Sequence, residues 1–192
     1  VRKNIDPAWN RRFLWDRGYR ESRTPDSPSM LCELLSHQNF ADMKSGLDPA
    51  FRFTVSRAIY KGMLKYLSNR YGCRYAVQPL PVNSFAATFL DGRIRLSWKE
   101  TVDSIEPTAR ATGFILQTRI DGGAFDEGKI IKASVAPDGS FFHDVDFEPG
   151  HLYSFRITAC NSGGRSFPSE TLSAGTPLPG KCGARQSVTD SC

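Results

Sequence analysis

The chain has 192 residues, 40% of them hydrophobic and 23% charged, an ordinary globular composition with length for one large domain or two small ones. It holds no run of about 18 apolar residues, so no membrane span is expected, and no signal peptide is visible. The net charge of +5 is uneven: Lys and Arg outnumber Asp and Glu by 14 to 7 over residues 1–82, while acids lead by 12 to 9 over residues 83–178.

That reversal of sign supports two separate units. The basic half suits an anionic polymer such as nucleic acid or cell-wall glycan. It reads as a solvated surface, and no nucleic-acid partner is expected. The first residue is Val1 rather than Met, and Val1 to Asn4 is polar and basic. The start therefore reads as an internal cut, which leaves the destination of any parent protein open.

In chain order, Asp6-Pro7 predicts a helix start, with Asp as N-cap and Pro at the first helical position. Trp9 and Phe13 lie one turn apart in it, and Gly18 stops it. A polar stretch from Arg20 to Ser29 follows, broken by Pro25 and Pro28. Met30-Leu31-Cys32-Glu33-Leu34-Leu35 then predicts a strand buried on both faces, of the parallel-sheet kind. Glu33 is the one charge in it. A carboxylate there must be paired, protonated or functional, and ligand sites gather at the carboxyl ends of such strands. Asp48-Pro49 starts a long helix in which Phe51, Val55, Ile59, Met63 and Leu67 recur at helical spacing, through to Gly72. Arg52, Lys61, Lys65 and Arg70 form its solvated side. One strand and two helices cannot close an α/β domain, so further strands are expected upstream of Val1.

The stretch Pro28-Ser29-Met30-Leu31-Cys32-Glu33-Leu34-Leu35-Ser36-His37-Gln38-Asn39-Phe40-Ala41-Asp42 resembles the last motif of bacterial zinc-dependent N-acetylmuramoyl-L-alanine amidases. In that family a strand ending in Glu is followed by a small turn, Asn, Asp and a long closing helix. Glu33, Asn39, Asp42 and residues 49–72 fall in that order. Leu34-Leu35 departs from the small and aromatic residues usual there, and His37 is atypical. The resemblance implies that residues 1–78 are the closing part of an α/β catalytic domain. It further implies that Glu33 is the catalytic proton shuttle of a hydrolase cleaving the bond between muramic acid and the stem peptide. Zinc held by two His and a Glu would activate the water, and a second carboxylate would move its proton.

His37 is the sole histidine of this segment and reads as a turn or groove residue. No metal ligand is therefore assigned, and zinc is expected in the full-length parent rather than in this chain. Cys32, Cys73, Cys160, Cys182 and Cys192 show no metal spacing. Cys32 and Cys160 fall in apolar strand-like runs, where a thiol behaves as a small hydrophobe.

From Asn83 short alternating runs separated by turns predict an all-β unit. Ala87 to Leu90 is a strand, Asp91-Gly92 a hairpin turn, Ile94 to Trp98 a second strand and Phe114 to Arg119 a third. After the Asp121-Gly122-Gly123 turn and Pro149-Gly150 comes Leu152 to Ala159, with Tyr153, Phe155, Ile157 and Ala159 on one face. Leu96-Ser97-Trp98, Pro149-Gly150-His151-Leu152-Tyr153, and the run through Ala159, Asn161, Gly163-Gly164, Ser166 and Pro168-Ser169-Glu170 resemble fibronectin type III domains. The resemblance implies an immunoglobulin-like sandwich over residues 83–177, with Trp98 in the core and Tyr153 in a tyrosine corner. Asp121, Asp126, Glu127, Asp144, Asp146 and Glu148 have the chemistry for calcium but read as solvated turn acids. His143 and His151 read as surface loop residues. Residues 178–192, Gly, Ser and Thr rich, predict a disordered tail.

Two functions follow as expectations. One is part of a secreted or periplasmic cell-wall hydrolase acting on peptidoglycan, with the sandwich as spacer. The other is a non-catalytic fibronectin type III accessory module of a polysaccharide-degrading protein, xanthan-lyase-like in kind. In both, the partner is peptidoglycan or another cell-surface glycan.

Overall fold

The computed structural model describes residues 18–175, and the chain divides into two compact units between Cys73 and Arg74. The helix expected from Asp6 onward, up to residue 17, and the tail 178–192 with Cys182 and Cys192 lie outside the described residues.

In the first unit, α1 (Arg20–Arg23) is a single turn. α2 (Phe40–Gly46) starts where the Asn39 side chain accepts the N–H of Ala41 at 3.0 Å. α3 (Pro49–Tyr71) is the long helix that the periodicity predicts. Asp48 caps it by accepting the N–H of Ala50 at 2.9 Å, Pro49 sits in the first turn, and Gly72 ends it in the left-handed region at φ 65°. Its apolar column is buried only at one end. Phe51 and Val55 are buried, whereas Met63 and Leu67 are 55% and 44% exposed.

The strand expected over Met30–Leu35 does not form. The segment is irregular, Met30, Leu31, Cys32 and Glu33 are exposed, and the described residues of this unit contain helices and no strand. The physical reason is pairing: an extended segment becomes a parallel strand only beside neighbours that take up its N–H and C=O groups. Cys32 is therefore not the buried small hydrophobe that its apolar neighbours suggest.

The second unit is a β-sandwich. Its strands are β1 (Asn83–Leu90), β2 (Arg93–Lys99), β3 (Gly113–Ile120), β4 (Lys129–Ile131), β5 (Ser134–Val135), β6 (Phe141–Val145), β7 (Leu152–Asn161), β8 (Gly164–Arg165) and β9 (Leu172–Gly175). One sheet has the order β1-β2-β6-β5; the other runs β4-β3-β7-β8, with β9 also paired to β7. The register follows from alternation. Ile94, Leu96 and Trp98 of β2 point inward and are fully buried, against Tyr153, Phe155, Ile157 and Ala159 of β7. Trp98 packs edge-on against Phe114 at 5.2 Å and stacks with Phe141 at 6.3 Å. The β1–β2 hairpin turns at Asp91 and Gly92, whose φ of 50° and 75° suit the two-residue connection that the dipeptide predicts. The Tyr153 hydroxyl accepts the N–H of Glu148 at 3.0 Å, the tie that a tyrosine corner requires. The described fold is thus mostly a β-sandwich resembling fibronectin type III, with few helices.

Two parts of the unit go beyond the sequence reading. β4, β5 and β6 fill the unassigned stretch between Gly123 and Pro149. Residues 74–82, ahead of the first strand, pack onto the sandwich as well. Val77, Pro79 and Val82 are buried. Asn161 Nδ2 donates to the carbonyls of Val77, Thr108 and Arg110 at 2.9, 3.1 and 3.1 Å, while its Oδ1 accepts the Gly163 N–H at 2.7 Å.

Candidate functional site

Glu33 stands just before a loop that is closed on itself. The Ser36 N–H donates to Asp42 Oδ2 at 3.0 Å, the Gln38 N–H to Ser36 Oγ at 3.3 Å, and Asn39 caps α2. Both Asn39 and Asp42, matched through the amidase resemblance, therefore have local structural work. His37 lies in the turn just before Asn39 and is exposed, as expected. Leu35 adopts φ 131°, a region that favours glycine and costs a branched side chain strain of order 1–3 kcal/mol. Its side chain lies beside Gly46: a Cβ there would be 3.4 Å from Leu35 Cδ1. Glu33 itself is exposed in irregular backbone, not buried at a strand end. Among the described residues no three His, Cys, Asp or Glu side chains converge to hold a metal ion, so this loop does not fit a zinc site.

The acids weighed for calcium are largely spent on protein partners. Asp121 accepts the Leu152 N–H at 2.8 Å and lies 2.6 Å from His151 Nδ1. The backbone N–H, then the imidazole, hold its carboxyl below the usual range, and Asp121 in turn raises His151. Asp126 accepts from the N–H groups of Thr118 and Gly128 at 3.1 and 3.0 Å. Asp144 takes two bonds of 2.7 Å from Arg95, which hold it below its ordinary value, and Asp146 pairs with Arg93 at 2.8 Å. His151 is an exposed surface residue. His143 is not a loop residue: it sits half-buried in β6, with Nδ1 3.2 Å from the Lys132 carbonyl oxygen.

The two sheets differ in how their outward charges are used. On the first, Arg95 is tied to Asp144 and lies 4.4 Å from the Phe142 ring centre, and Lys99 reaches Asp138 at 3.3 Å. The hydroxyl and N–H of Ser140, and then Lys99, lower Asp138 to about 2. On the second, the register aligns two outward rows across the strands: Arg119, Ser154 and Ser173, and beside them Gln117, Arg156 and Thr171. Asp126, hooked to Thr118, folds the β3–β4 loop back and sets Phe125 against these rows. The Arg119 and Arg156 guanidiniums lie 4.9 and 4.0 Å from the centre of its ring. Arg156 Nε donates to Thr171 Oγ1 at 2.9 Å, while Arg119 Nε has no hydrogen-bond partner. Among the described residues neither guanidinium has a carboxylate within ion-pairing distance.

Sequence reasoning missed this cluster. Strand alternation places Gln117 and Arg119 outward, and Arg156 with them. Phe125 joins them only because Asp126 bridges back eight residues, which no local pattern announces.

No family model matches the chain, and no curated protein matches it. Solved structures with a similar β-unit include the twitchin kinase region from C. elegans, 23% identical over 53% of this chain and 17% of that one, with a TM-score of 0.38. A fourth human FNIII domain is 18% identical over 52% of this chain and 80% of that one, at 0.40. A family 56 carbohydrate-binding module, described as a β-1,3-glucan binding domain, is 14% identical over 47% and 95%, at 0.34. At such TM-scores these likenesses carry no argument of their own, and the sandwich stands on its strand order and register.

Proposed function

We propose that the chain acts as a non-catalytic accessory module that holds an attached enzyme at a cell-surface polysaccharide. The observation that carries this reading is the second sheet's outer face. There the half-exposed Arg119, Phe125 and Arg156 stand together beside the exposed Thr171 and Ser173. A row of side chains across a sheet can follow a polymer along several sugar units, where a small metabolite would be held in a concave pocket. The test is co-sedimentation of the full chain with insoluble peptidoglycan and with insoluble cell-wall polysaccharides. Partition into at least one pellet, above an albumin control, supports the reading; recovery in the supernatant throughout overturns it.

A second reading, that the parent is an N-acetylmuramoyl-L-alanine amidase with Glu33 as its general base, is favoured by the loop after Glu33. Leu35 is held in a glycine-like conformation and Asp42 pins the loop, and strain of that kind collects at functional sites. Zinc ligands would have to come from outside the described residues. The expected result is that Glu33→Gln in the intact gene product lowers release of stem peptides from purified peptidoglycan by roughly 10²–10⁴. Release at the wild-type rate excludes Glu33 from catalysis. Under either reading the place of action is the cell envelope or its exterior.

A further inference from the structure

We propose that Arg119 and Arg156, with Phe125 between them, form a subsite for the carboxylate groups of an acidic, uronic-acid-type polysaccharide. The inference rests on the accessory reading above and specifies which glycan chemistry the second sheet selects. Its starting point is like charge. Each guanidinium lies against the Phe125 ring, so the two cannot be further apart than the sum of their distances to its centre, 4.9 and 4.0 Å. Two cations at that range repel. Each lysine and arginine in the strands of the first sheet has a carboxylate partner: Arg93, Arg95 and Lys99. The second sheet's pair has only the ring quadrupole and one hydroxyl. An arriving anion relieves the repulsion, and a planar carboxylate matches the guanidinium fork.

The nearest acids in sequence do not fill that role. Asp126 spends Oδ1 on two backbone N–H groups, and neither it, Glu127 nor Glu170 ion-pairs with either arginine. Contact with the Phe125 ring restrains both guanidiniums, which cuts the entropy lost on binding. Around them stand Thr171, which accepts from Arg156, Ser173, bonded to Ser154, and Gln117, which donates to the Asp126 carbonyl. The hydroxyls of Thr171 and Ser173 keep further hydrogen-bonding capacity for a hydroxyl-rich ligand. Arg119, Phe125 and Arg156 are each half-exposed, so a polymer crossing the sheet edge can set one carboxylate on each arginine.

The test is affinity electrophoresis of the full chain in gels containing polygalacturonate, neutral dextran or poly-glutamate. Retardation is expected in polygalacturonate, and the double variant Arg119→Gln/Arg156→Gln should lose about tenfold in affinity or more for each guanidinium removed. Arg52→Gln/Lys65→Gln on α3 makes the same change in net charge and should leave retardation nearly intact. Arg119→Lys/Arg156→Lys keeps the charge but not the fork, and should fall between. Thermal unfolding of each variant establishes that it is folded. An unchanged affinity in the double Gln variant overturns the proposal, as does an equal loss in the α3 control, which would assign binding to net charge. Equal retardation by poly-glutamate overturns the glycan assignment. Retardation by dextran alone leaves the accessory reading standing and removes this one, whereas no retardation in any gel, with no co-sedimentation, removes both.

Discussion

Within one chain, α3 and the β-sandwich use apolar residues in opposite ways. α3 has good local signals at both ends, an Asp cap with Pro behind it and a left-handed Gly at the close. Yet Met63, Tyr66, Leu67 and Tyr71 are 55, 48, 44 and 68% exposed. In the sandwich, Trp98, Phe155, Ile94, Leu96 and Ile157 are all fully buried. The difference teaches that capping and periodicity define where a helix runs, but burial of its stripe needs a partner surface. A strand pair carries its partner within the hairpin itself.

The sharpest way to break that comparison is to truncate one large side chain in each region. Trp98→Ala removes a ring packed against Phe114 and Phe141, and should destabilise the sandwich by about 3–5 kcal/mol. Leu67→Ala removes a side chain already 44% exposed and should change stability by no more than about 0.5 kcal/mol. Urea denaturation followed by circular dichroism measures both. Similar losses in the two variants would mean that the end of α3 is packed as tightly as the sandwich core.

Next in size is the clasp between residues 74–82 and the β7–β8 turn. Asn161→Ala would leave three carbonyls without their shared donor and Gly163 N–H without its acceptor. A loss of about 1–2 kcal/mol is expected, since the groups at Val77 and Gly163 are part-buried while the Thr108 and Arg110 carbonyls can turn to water. Gly163→Ala attacks the same place sterically, since a Cβ would stand 2.2 Å from the Ala76 carbonyl oxygen. If that segment belonged to the helical unit instead, both variants would leave the unfolding midpoint of the sandwich unchanged.

How much of this was legible in the sequence follows from how local each cause is. The Asp91-Gly92 turn, the alternation of Ile94, Leu96 and Trp98, the inward run of β7 and the Asp48-Pro49 helix start all depend on neighbours a few residues away. Each is readable. β6 was missed because all five of its residues are half-buried, so no alternation marks it, and β4 and β5 have only three and two residues. The Met30–Leu35 strand failed for the opposite reason: its apolar run is a local signal, but a parallel strand is a non-local object. α2 was hidden by its short length and by Asn39, which reads equally well as a turn residue or a cap. Of the candidate site, the outward parity of Gln117 and Arg119 was readable. The placing of Phe125 was not, because it follows from a side-chain hook across the loop.

A smaller effect separates the corner from the core. Tyr153→Phe keeps the buried ring, stacked on Phe155 at 6.2 Å, and deletes only the hydroxyl that accepts the Glu148 N–H. The expected cost is about 1 kcal/mol, well below that of Trp98→Ala, with an unchanged dependence on urea concentration. A loss as large as the tryptophan's would show that the corner organises the core rather than tying down a turn.

The smallest effect lies at the rim, where Asp121 joins the β3–β4 turn to the start of β7. His151 is raised from its ordinary value of 6.5, first by the hydrogen bond it donates to Asp121 and then by the charge of that carboxylate. Asp121 is lowered from 3.8, first by the Leu152 N–H and then by His151. The signs fix the window. The histidine's contribution is fully present below its unfolded pKa and is lost as pH rises through the raised folded value. The aspartate's is present above its unfolded pKa and is lost as pH falls through the lowered one. The pair therefore supports the fold most between 3.8 and 6.5. Both groups are solvent-exposed, so screening keeps the effect small. Melting temperatures of the wild type and His151→Gln, taken from about pH 5 to about pH 9, should converge as pH rises, since only the wild type has an imidazolium to lose there. Asp121→Asn should lower stability across the whole range, because the Leu152 N–H then loses its charged acceptor at every pH. A constant gap between wild type and His151→Gln at all pH values would reduce the His151 contact to a neutral hydrogen bond, and would leave the anchoring by Asp121 to its bond with the Leu152 N–H.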